Sequence, residues 1–235
     1  MRNSMKTVLF DLDGTLLHMD IDEFVKAYFK LLGKTFGQKG YDVERVMKGL
    51  GAGLEAMIKN NGSATNEEVF WHVFTQYSNY QLADVEEDFL SFYTHEFENC
   101  ASLAAKNPLA DAMVKKCKAL GYQVILATNP LFPSIATQQR IRWAGCDPED
   151  FEWITTYENS SFSKPNPAYF KEIMDRFQLQ AEDCIMIGND LDEDGVIETL
   201  GVPCYLTTDC LINKHGKEIK VKWQGSFEEL YNQIN

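Results

Sequence analysis

The sequence has no long hydrophobic run. Although 45% of its 235 residues are hydrophobic, no apolar run approaches the roughly 20 residues that a transmembrane helix needs. The N-terminal stretch MRNSMKTVLF has no apolar segment followed by the small-residue cleavage site of a secretory signal peptide. The composition is otherwise that of an ordinary globular protein. We therefore expect a cytoplasmic protein with no membrane partner.

Positive charge is scarce. The chain has 22 Lys and Arg residues against 35 Asp and Glu residues, a formal net charge of −13. Binding of nucleic acids depends on clustered Lys and Arg that neutralise phosphates, so we expect no nucleic-acid partner. A single phosphate group could still bind, provided that a local cation or a metal ion faces it.

Cysteine pairs with a recognisable spacing are missing. No C-x-x-C pair and no zinc-binding spacing occurs among the six cysteines. Cys184 and Cys204 stand in apolar runs and are expected to be small buried side chains. Without an export signal, free thiols in a reducing cytoplasm are expected.

What the sequence does contain is an alternation of strands and helices. Most of the short apolar runs are continuous, which is typical of strands buried on both faces. The predicted strands are TVLF at 7–10, YQVILAT at 122–128, EWITT at 152–156, CIMIGN at 184–189 and VPCYLTT at 202–208. Helical patterns separate the later runs, and a short strand and helix are expected in the tail. The pattern predicts an α/β fold with a doubly wound, mostly parallel sheet.

Residues 19 to about 106 have a different pattern. Four segments carry apolar residues at helical spacing, and no strand-like run interrupts them. Thr65 or Asn66 could cap one of these helices, with two glutamates in its first turn. We therefore predict an all-helical insertion at 19–104, and a core formed by residues 1–18 together with 105–235.

The stretch FDLDGTLL places Asp11 and Asp13 directly after the first predicted strand. A hairpin turn is one reading, but no alternating strand follows. An EF-hand loop is another, but the sixth residue counted from Asp11 is Leu16 instead of glycine. A simple polar strand end is the third. The functional reading is a pair of carboxylates at the carboxyl end of a central parallel strand, where open α/β sheets place their sites.

Three later stretches bear on this choice. Thr128 and Asn129 end a strand, Lys164 stands in SKPNP, and an acidic loop follows the strand at 184–189. Taken singly, Thr128 and Asn129 could cap a helix, and Lys164 could be an ordinary exposed lysine. The acidic loop could be a helix N-terminus, where the helix dipole favours negative charge. Together with the first motif they supply carboxylates, a hydroxyl, an amide and a lysine, a combination that suits a phosphoryl group and a divalent metal. The acidic residues of the loop are Asp190, Asp192, Glu193 and Asp194.

These motifs, in this order, resemble those of the haloacid dehalogenase (HAD) superfamily, and specifically its phosphatases. The resemblance covers essentially the whole chain, and the D-x-D-G-T motif at 11–15 together with the K-P-N-P lysine is highly specific. It implies a Rossmann-like core, and the helical insertion resembles the cap domain of the family's first subclass. The implied reaction is Mg²⁺-dependent hydrolysis of a small phosphorylated metabolite.

The resemblance also implies roles for individual residues. Asp11 would be the nucleophile that forms an aspartyl-phosphate, and Asp13 the general acid and base. The Thr128 hydroxyl and the Asn129 backbone N–H would bind phosphate oxygens, and Lys164 would offset charge. The Asp11 side chain, the Asp13 backbone carbonyl, Asp190 and Asp194 would hold Mg²⁺.

One departure from the family pattern leaves the metal ligands open. Many relatives have Gly-Asp in the fourth motif, whereas this chain has Gly188-Asn189-Asp190. We expect Asp190 to be a ligand, with Asp194 next; which of them contacts the metal directly stays open, and Asn189 could take part.

The motifs also bear on several other reactions. Asp13 argues against dehalogenase chemistry, because family dehalogenases lack this acid. A phosphonatase would need a Schiff-base lysine in the cap, although solvated lysines are the better reading of Lys26, Lys30, Lys34, Lys39, Lys48 and Lys59. A phosphosugar mutase would keep all the motifs, and a catalytically idle binding or regulatory protein is the alternative outside enzymes.

Specificity is expected to lie in the cap. GLGAG at 49–53 is read as a loop or a loosened helix start, with a substrate-contacting loop as the alternative. His18 is a candidate for the cleft, whereas His72 and His95 are assigned to the core of the cap or its surface. The cap is expected to hinge at about 15–20 and 100–108 and to exclude water on closing. Its aromatic residues are assigned to the core of the cap, namely Phe70, Trp71, Phe74, Phe89 and Phe92. The substrate and the oligomeric state, monomer or dimer, stay open.

Overall fold

The computed structural model describes residues 6–234. The first five residues of the predicted core segment 1–18, and Asn235, lie outside this range. The described strands are β1 Thr7–Phe10, β2 Leu17–Met19, β3 Ala104–Lys106, β4 Gln123–Leu126, β5 Trp153–Ile154, β6 Cys184–Gly188, β7 Cys204–Thr207 and β8 Trp223–Gly225. The α-helices are α1 Ile21–Gln38, α2 Val43–Ile58, α3 Asn66–Ser78, α4 Leu82–His95, α5 Ala110–Ala119, α6 Ser134–Trp143, α7 Pro167–Phe177 and α8 Phe227–Gln233.

Six of the strands form one sheet in the order β5-β4-β1-β6-β7-β8. Every neighbouring pair in it is parallel. Residues of β1 alternate between two hydrophobic clusters: Val8 and Phe10 belong to the larger one, and Leu9 to the other. Both faces of the sheet are therefore covered, and the predicted doubly wound parallel sheet is confirmed.

Helices pack on both faces of this sheet. Ala110, Met113 and Val114 of α5 belong to the same cluster as Val8, whereas Tyr169 and Phe170 of α7 belong to the cluster of Leu9. α7 begins as the sequence indicates, with Pro167 in its first turn and the Asn166 side chain accepting a hydrogen bond from the Ala168 N–H at 3.0 Å. No helix in the range 6–234 has both the length and the apolar character needed to cross a membrane.

Helices α1–α4 lie in the chain between β2 and β3, and aromatic side chains pack between α1, α3 and α4. Phe36 and Phe89 have ring centroids 4.6 Å apart, and Phe74 and Phe89 meet edge to face at 5.4 Å. Thr65 caps α3: its hydroxyl oxygen accepts from the Glu68 N–H at 3.2 Å, and the Glu68 carboxylate accepts from the Thr65 N–H at 2.9 Å.

The expectation of a loop or loosened helix start at 49–53 is wrong, because these residues lie inside α2. A Cβ added to Gly49 would stand 2.8 Å from the Cβ of Ser78, and one added to Gly53 would stand 2.6 Å from the Phe70 ring. The two glycines therefore allow α2 and α3 to pack closely, and this packing outweighs the low helix propensity of glycine.

The sequence pattern also missed a short ribbon where the hinge is predicted. β2 and β3 pair antiparallel, with Leu17 opposite Lys106 and Met19 opposite Ala104. Each strand has three residues, which is too short for a recognisable periodicity. The two chain segments that enter and leave the helical insertion are therefore joined by backbone hydrogen bonds.

All six cysteines are free thiols, as expected. Five of them are buried, including Cys184 and Cys204, and Cys210 is half-buried. Burial raises the pKa of Cys100 and of Cys184 to about 11.

Candidate active site

The four motifs meet at the carboxyl edge of the sheet. Asp11 follows β1, Thr128 lies just beyond β4, Asp190 follows β6, and Lys164 lies in the loop before α7. β1, β4 and β6 are neighbours in the sheet. Side chains that follow them therefore come together although they are far apart in the sequence.

Lys164 joins the first motif to the fourth. Its Nζ donates to Asp11 Oδ1 at 2.8 Å and to Asp194 Oδ1 at 2.6 Å, and its side chain is fully buried. Desolvation alone would lower the pKa of Lys164, but the carboxylates of Asp11 and Asp194 raise it well above its usual value. Lys164 is therefore a permanent positive charge beside Asp11.

Asp11 lies in an environment with an excess of negative charge. Burial raises its pKa to about 8 despite the attraction of Lys164, and the nearby carboxylates of Asp194 and Asp13 act in the same direction as burial. Lys164 is shared by Asp11 and Asp194, and Arg140 pairs with Asp13, so two cations face three carboxylates and the site has room for further positive charge.

Asp13 is held by a residue that the sequence analysis did not single out. The Arg140 guanidinium on α6 donates to Asp13 Oδ2, stacks on the Phe132 ring at 4.5 Å, and is 1% exposed. Asp13 Oδ1 is shielded from solvent and has no hydrogen-bond partner among the described residues. One carboxylate oxygen of Asp13 is thus fixed while the other stays free.

The acidic loop after β6 is organised around Asp194. Its Oδ2 accepts from the backbone N–H groups of Asn189 at 2.9 Å and Asp190 at 3.0 Å, and its Oδ1 accepts from Lys164. The hydrogen bonds that the Asp190 carboxylate accepts, from Asp192 N–H at 2.8 Å and Glu193 N–H at 2.9 Å, both fall on Oδ1. Both carboxylate oxygens of Asp194 therefore accept hydrogen bonds, whereas the bonds to the Asp190 carboxylate fall on one oxygen.

Gly14 allows the first and fourth motifs to approach each other. Its φ is 94°, and a Cβ there would stand 2.1 Å from the Asn189 side-chain nitrogen. Asn189 Oδ1 in turn accepts from the Thr15 hydroxyl at 3.0 Å. A side chain at position 14 would be strained and would also displace Asn189, which explains the glycine in D-x-D-G-T.

Asn129 ties the second motif to the loop of Lys164. Its Oδ1 accepts from the Lys164 N–H at 3.2 Å, and its Nδ2 donates to Glu193 at 3.1 Å. The backbone carbonyl of Thr128 accepts from the Tyr169 hydroxyl at 2.8 Å. Thr128 and Asn129 both line the same cavity as Asp11 and Asp13.

The donor set is chemically suited to Mg²⁺. Among residues 6–234 no three His, Cys, Asp or Glu side chains are already spaced around a common metal position, and Lys164 lies between Asp11 and Asp194. The available donors are nevertheless hard carboxylate oxygens, the ligands that Mg²⁺ prefers. The shielded, unpartnered Asp13 Oδ1 and the excess of carboxylates around Lys164 are the features that a cation would satisfy.

A cavity of about 550 Å³ opens above these residues, between the sheet edge and helices α1–α4. Phe70, Trp71 and Phe89 pack in the hydrophobic core of the helical unit, as expected, and they also line the cavity, which was not expected. His18 is not among the described lining residues and lies instead on the hinge ribbon. His72 and His95 are exposed.

The lysines considered for a Schiff base are absent from the described lining of the cavity. All six are exposed on the helical insertion, which agrees with their reading as solvated side chains: Lys26, Lys30, Lys34, Lys39, Lys48 and Lys59.

Comparison with known proteins gives the family. The family model of haloacid dehalogenase-like hydrolases matches residues 5–195. A phosphoglycolate phosphatase from Colwellia psychrerythraea is 25% identical over 189 residues, which cover 78% of this chain and 76% of the relative.

Solved structures share the fold. The structure of a haloacid dehalogenase-like hydrolase from Bacteroides fragilis has a TM-score of 0.59 and 16% identity, with 97% of this chain and all of that chain covered. The HAD-hydrolase YfnB from Bacillus subtilis, bound to magnesium, has a TM-score of 0.55 and 20% identity, with 98% of both chains covered.

The chain therefore belongs to the haloacid dehalogenase-like hydrolases. The predicted family and its hydrolytic enzyme class are confirmed by the match over residues 5–195 and by the phosphatase relative.

Proposed function

We propose that the protein is a Mg²⁺-dependent phosphatase that hydrolyses a small phosphate monoester through an aspartyl-phosphate at Asp11. The observation that carries this proposal is the position of Asp11 in the cavity, bound by the buried Lys164 at 2.8 Å, next to Asp13 with one free oxygen. These groups supply a nucleophile, a fixed positive charge and a proton carrier in one place.

In the first step the Asp11 carboxylate attacks phosphorus, and the bond between phosphorus and the ester oxygen breaks. Asp13 in its protonated form gives its proton to the departing alkoxide, so that a neutral alcohol leaves. In the second step Asp13 takes a proton from water as the water oxygen attacks phosphorus. Inorganic phosphate is released, and the Asp11 carboxylate and protonated Asp13 are restored.

Arg140 would prepare Asp13 for this task. Because the guanidinium holds Oδ2, proton transfer falls to Oδ1, the oxygen without a partner. We assign Arg140 as a positioning residue for the general acid and base.

Phosphate oxygens would be bound by the Thr128 hydroxyl, the Asn129 backbone N–H and, through its charge, Lys164. The side-chain hydrogen bonds of Asn129 to the Lys164 backbone and to Glu193 support this arrangement, because they fix the phosphate-binding loop against the loop of the lysine.

Asp11, the Asp13 carbonyl and Asp190 would hold Mg²⁺. When bound, the ion would offset the repulsion between the Asp11 carboxylate and the phosphate oxygens. Asp194 would orient the loop and Lys164 instead of meeting the metal directly, because both its oxygens already accept hydrogen bonds. This would answer the question that the Gly188-Asn189-Asp190 sequence left open.

The helical insertion at 19–104 would act as a cap domain over the core formed by 1–18 and 105–235. The β2–β3 ribbon lies where the two hinges were predicted, and a cavity enclosed between the two parts would exclude water during the reaction. Six free thiols support a reducing compartment such as the cytoplasm.

The test is hydrolysis of p-nitrophenyl phosphate with Mg²⁺ and with EDTA, for the wild type, Asp11→Asn and the control Asp175→Asn. Asp175 is an exposed carboxylate on α7, so its loss should leave activity intact. Activity that needs both Mg²⁺ and Asp11 is the expected result. Mg²⁺ binding without turnover of any ester would contradict the proposal and favour the mutase, and absence of both would favour the idle binding protein.

A further inference from the structure

The wall of the cavity above Asp11 is mostly apolar. Aliphatic and aromatic side chains from α1–α4 form its roof, and further apolar residues come from the loop after β4. The principal roof residues are Val25, Phe29, Leu50, Leu54, Trp71 and Phe89. A wall of this kind stabilises a bound group by removing apolar surface from water, and offers little to a strongly hydrated one.

Positive charge is almost absent from this wall. Lys214 is the one basic residue in the described lining; it is exposed and acts electrostatically on Asp190, beside the phosphate position. Arg140 is engaged by Asp13, and Lys164 by Asp11 and Asp194. No Lys or Arg of helices α1–α4 is in the described lining, so the roof of the cavity offers no cation to a second anionic group on the substrate.

Negative charge is present instead. Glu67 on α3 and Glu158 after β5 both line the cavity. Glu158 Oε1 accepts from the Ser134 N–H at 2.8 Å, whereas its Oε2 is shielded and has no partner among the described residues. Burial and the charge of Glu158 raise the pKa of Glu67. A carboxylate on the substrate would be repelled here, while a hydroxyl or ammonium group could donate to Glu158.

We propose that the substrate is a phosphate monoester whose organic part is apolar, carries no negative charge and approaches the size of a single aromatic ring or larger. This inference rests on the proposed phosphatase function. It separates the chain from its phosphoglycolate phosphatase relative. The leaving group of phosphoglycolate has only two carbons, too few to contact much of this apolar wall, and its carboxylate finds no cation on the described roof of the cavity.

The experiment compares benzyl phosphate with 2-phosphoglycolate, both esters of primary alcohols, under identical conditions with Mg²⁺. We expect kcat/KM to be higher for benzyl phosphate by about tenfold or more, the discrimination that apolar contacts and an unpaired charge can give. Equal or higher kcat/KM for 2-phosphoglycolate would overturn the inference and leave the phosphatase proposal standing. Failure of every ester, p-nitrophenyl phosphate included, would overturn both.

A charge-removing variant gives a second readout. Glu67→Gln should raise kcat/KM for 2-phosphoglycolate roughly threefold relative to that for benzyl phosphate, because one repulsive charge is lost. Glu87→Gln removes the same charge from an exposed position on α4 outside the described lining, and should change neither. A parallel change of both substrates in Glu67→Gln, or the same rise in Glu87→Gln, would contradict the role given to Glu67.

Discussion

Arg140 binds Asp13 through one carboxylate oxygen and leaves the other without a partner. The two residues are 127 positions apart in the sequence, and the contact joins α6 to the loop that follows β1. A buried guanidinium thus fixes the side chain to which proton transfer is assigned.

The first prediction concerns this pair. Arg140→Met should lower kcat about tenfold to a hundredfold with a smaller change in KM, because Asp13, the proposed general acid, loses its orientation. Arg140→Lys should recover part of the loss. The control is Arg142→Met, two positions further along α6 and exposed, which should keep wild-type kinetics. Unchanged kcat in folded Arg140→Met would show that Asp13 needs no such support.

The second prediction concerns the glycines of α2. Gly49→Ala should destabilise the protein by about 1–3 kcal/mol, because the new methyl group meets Ser78 and Phe74 at 3.0 Å or less. Gly51→Ala is the matched control, since nothing lies within 4 Å of its added Cβ. It should be neutral or stabilise the helix by about 0.5–1 kcal/mol. Chemical denaturation measures both, and equal effects would exclude close α2–α3 packing.

The third prediction concerns the contact between helical unit and core. Asn66 is fully buried; its Nδ2 donates to the Pro130 carbonyl and to Ser163 Oγ, both at 3.1 Å. Asn66→Ala should leave these acceptors unpaired and favour opening of the proposed cap. Hydrogen exchange near 57–66 and 160–163 should accelerate, and KM should rise severalfold.

Asn61→Ala provides the comparison for this variant. Asn61 is exposed in the loop before α3, and its Oδ1 accepts from the local Ser63 N–H at 3.1 Å. Its loss should not change exchange at 160–163. Equal exchange in the two variants would mean that Asn66 does not hold the cap against the core.

The fourth prediction concerns the thiols. Burial raises the pKa of Cys100, Cys117 and Cys184 to about 11, so these groups are protonated at pH 8 and react slowly with iodoacetamide. Half-buried Cys210 should be labelled first. Labelling of the buried thiols should become faster as the pH rises toward 11, and all six should react in guanidinium. Rapid labelling of Cys184 in the native protein at pH 8 would contradict the packing of β6.

Much of the fold and site could be predicted because the signals were local. Strands such as β1 and β6 are continuous apolar runs, and the carboxyl ends of neighbouring parallel strands bring Asp11, Thr128 and Asp190 together. Lys164 could be found because its K-P-N-P setting resembles a family motif.

The residues that were missed depend on contacts between distant parts of the chain. Arg140 stands among polar residues of α6, and nothing in that stretch indicates that it is buried against Asp13. The β2–β3 ribbon consists of three-residue strands whose pairing is set by the fold. Trp71 and Phe89 have helical spacing that indicates packing, but the same pattern does not show that they also face a cavity.

The most direct test of the account is to trap the covalent intermediate. The wild type would be quenched during steady-state hydrolysis of benzyl phosphate with Mg²⁺, reduced with borohydride and digested for mass spectrometry. An aspartyl-phosphate at Asp11 predicts homoserine at position 11, and none in protein that has not met the substrate. Turnover at the same rate with unmodified Asp11, or with homoserine at Asp13 instead, would contradict the assignment of Asp11 as the nucleophile.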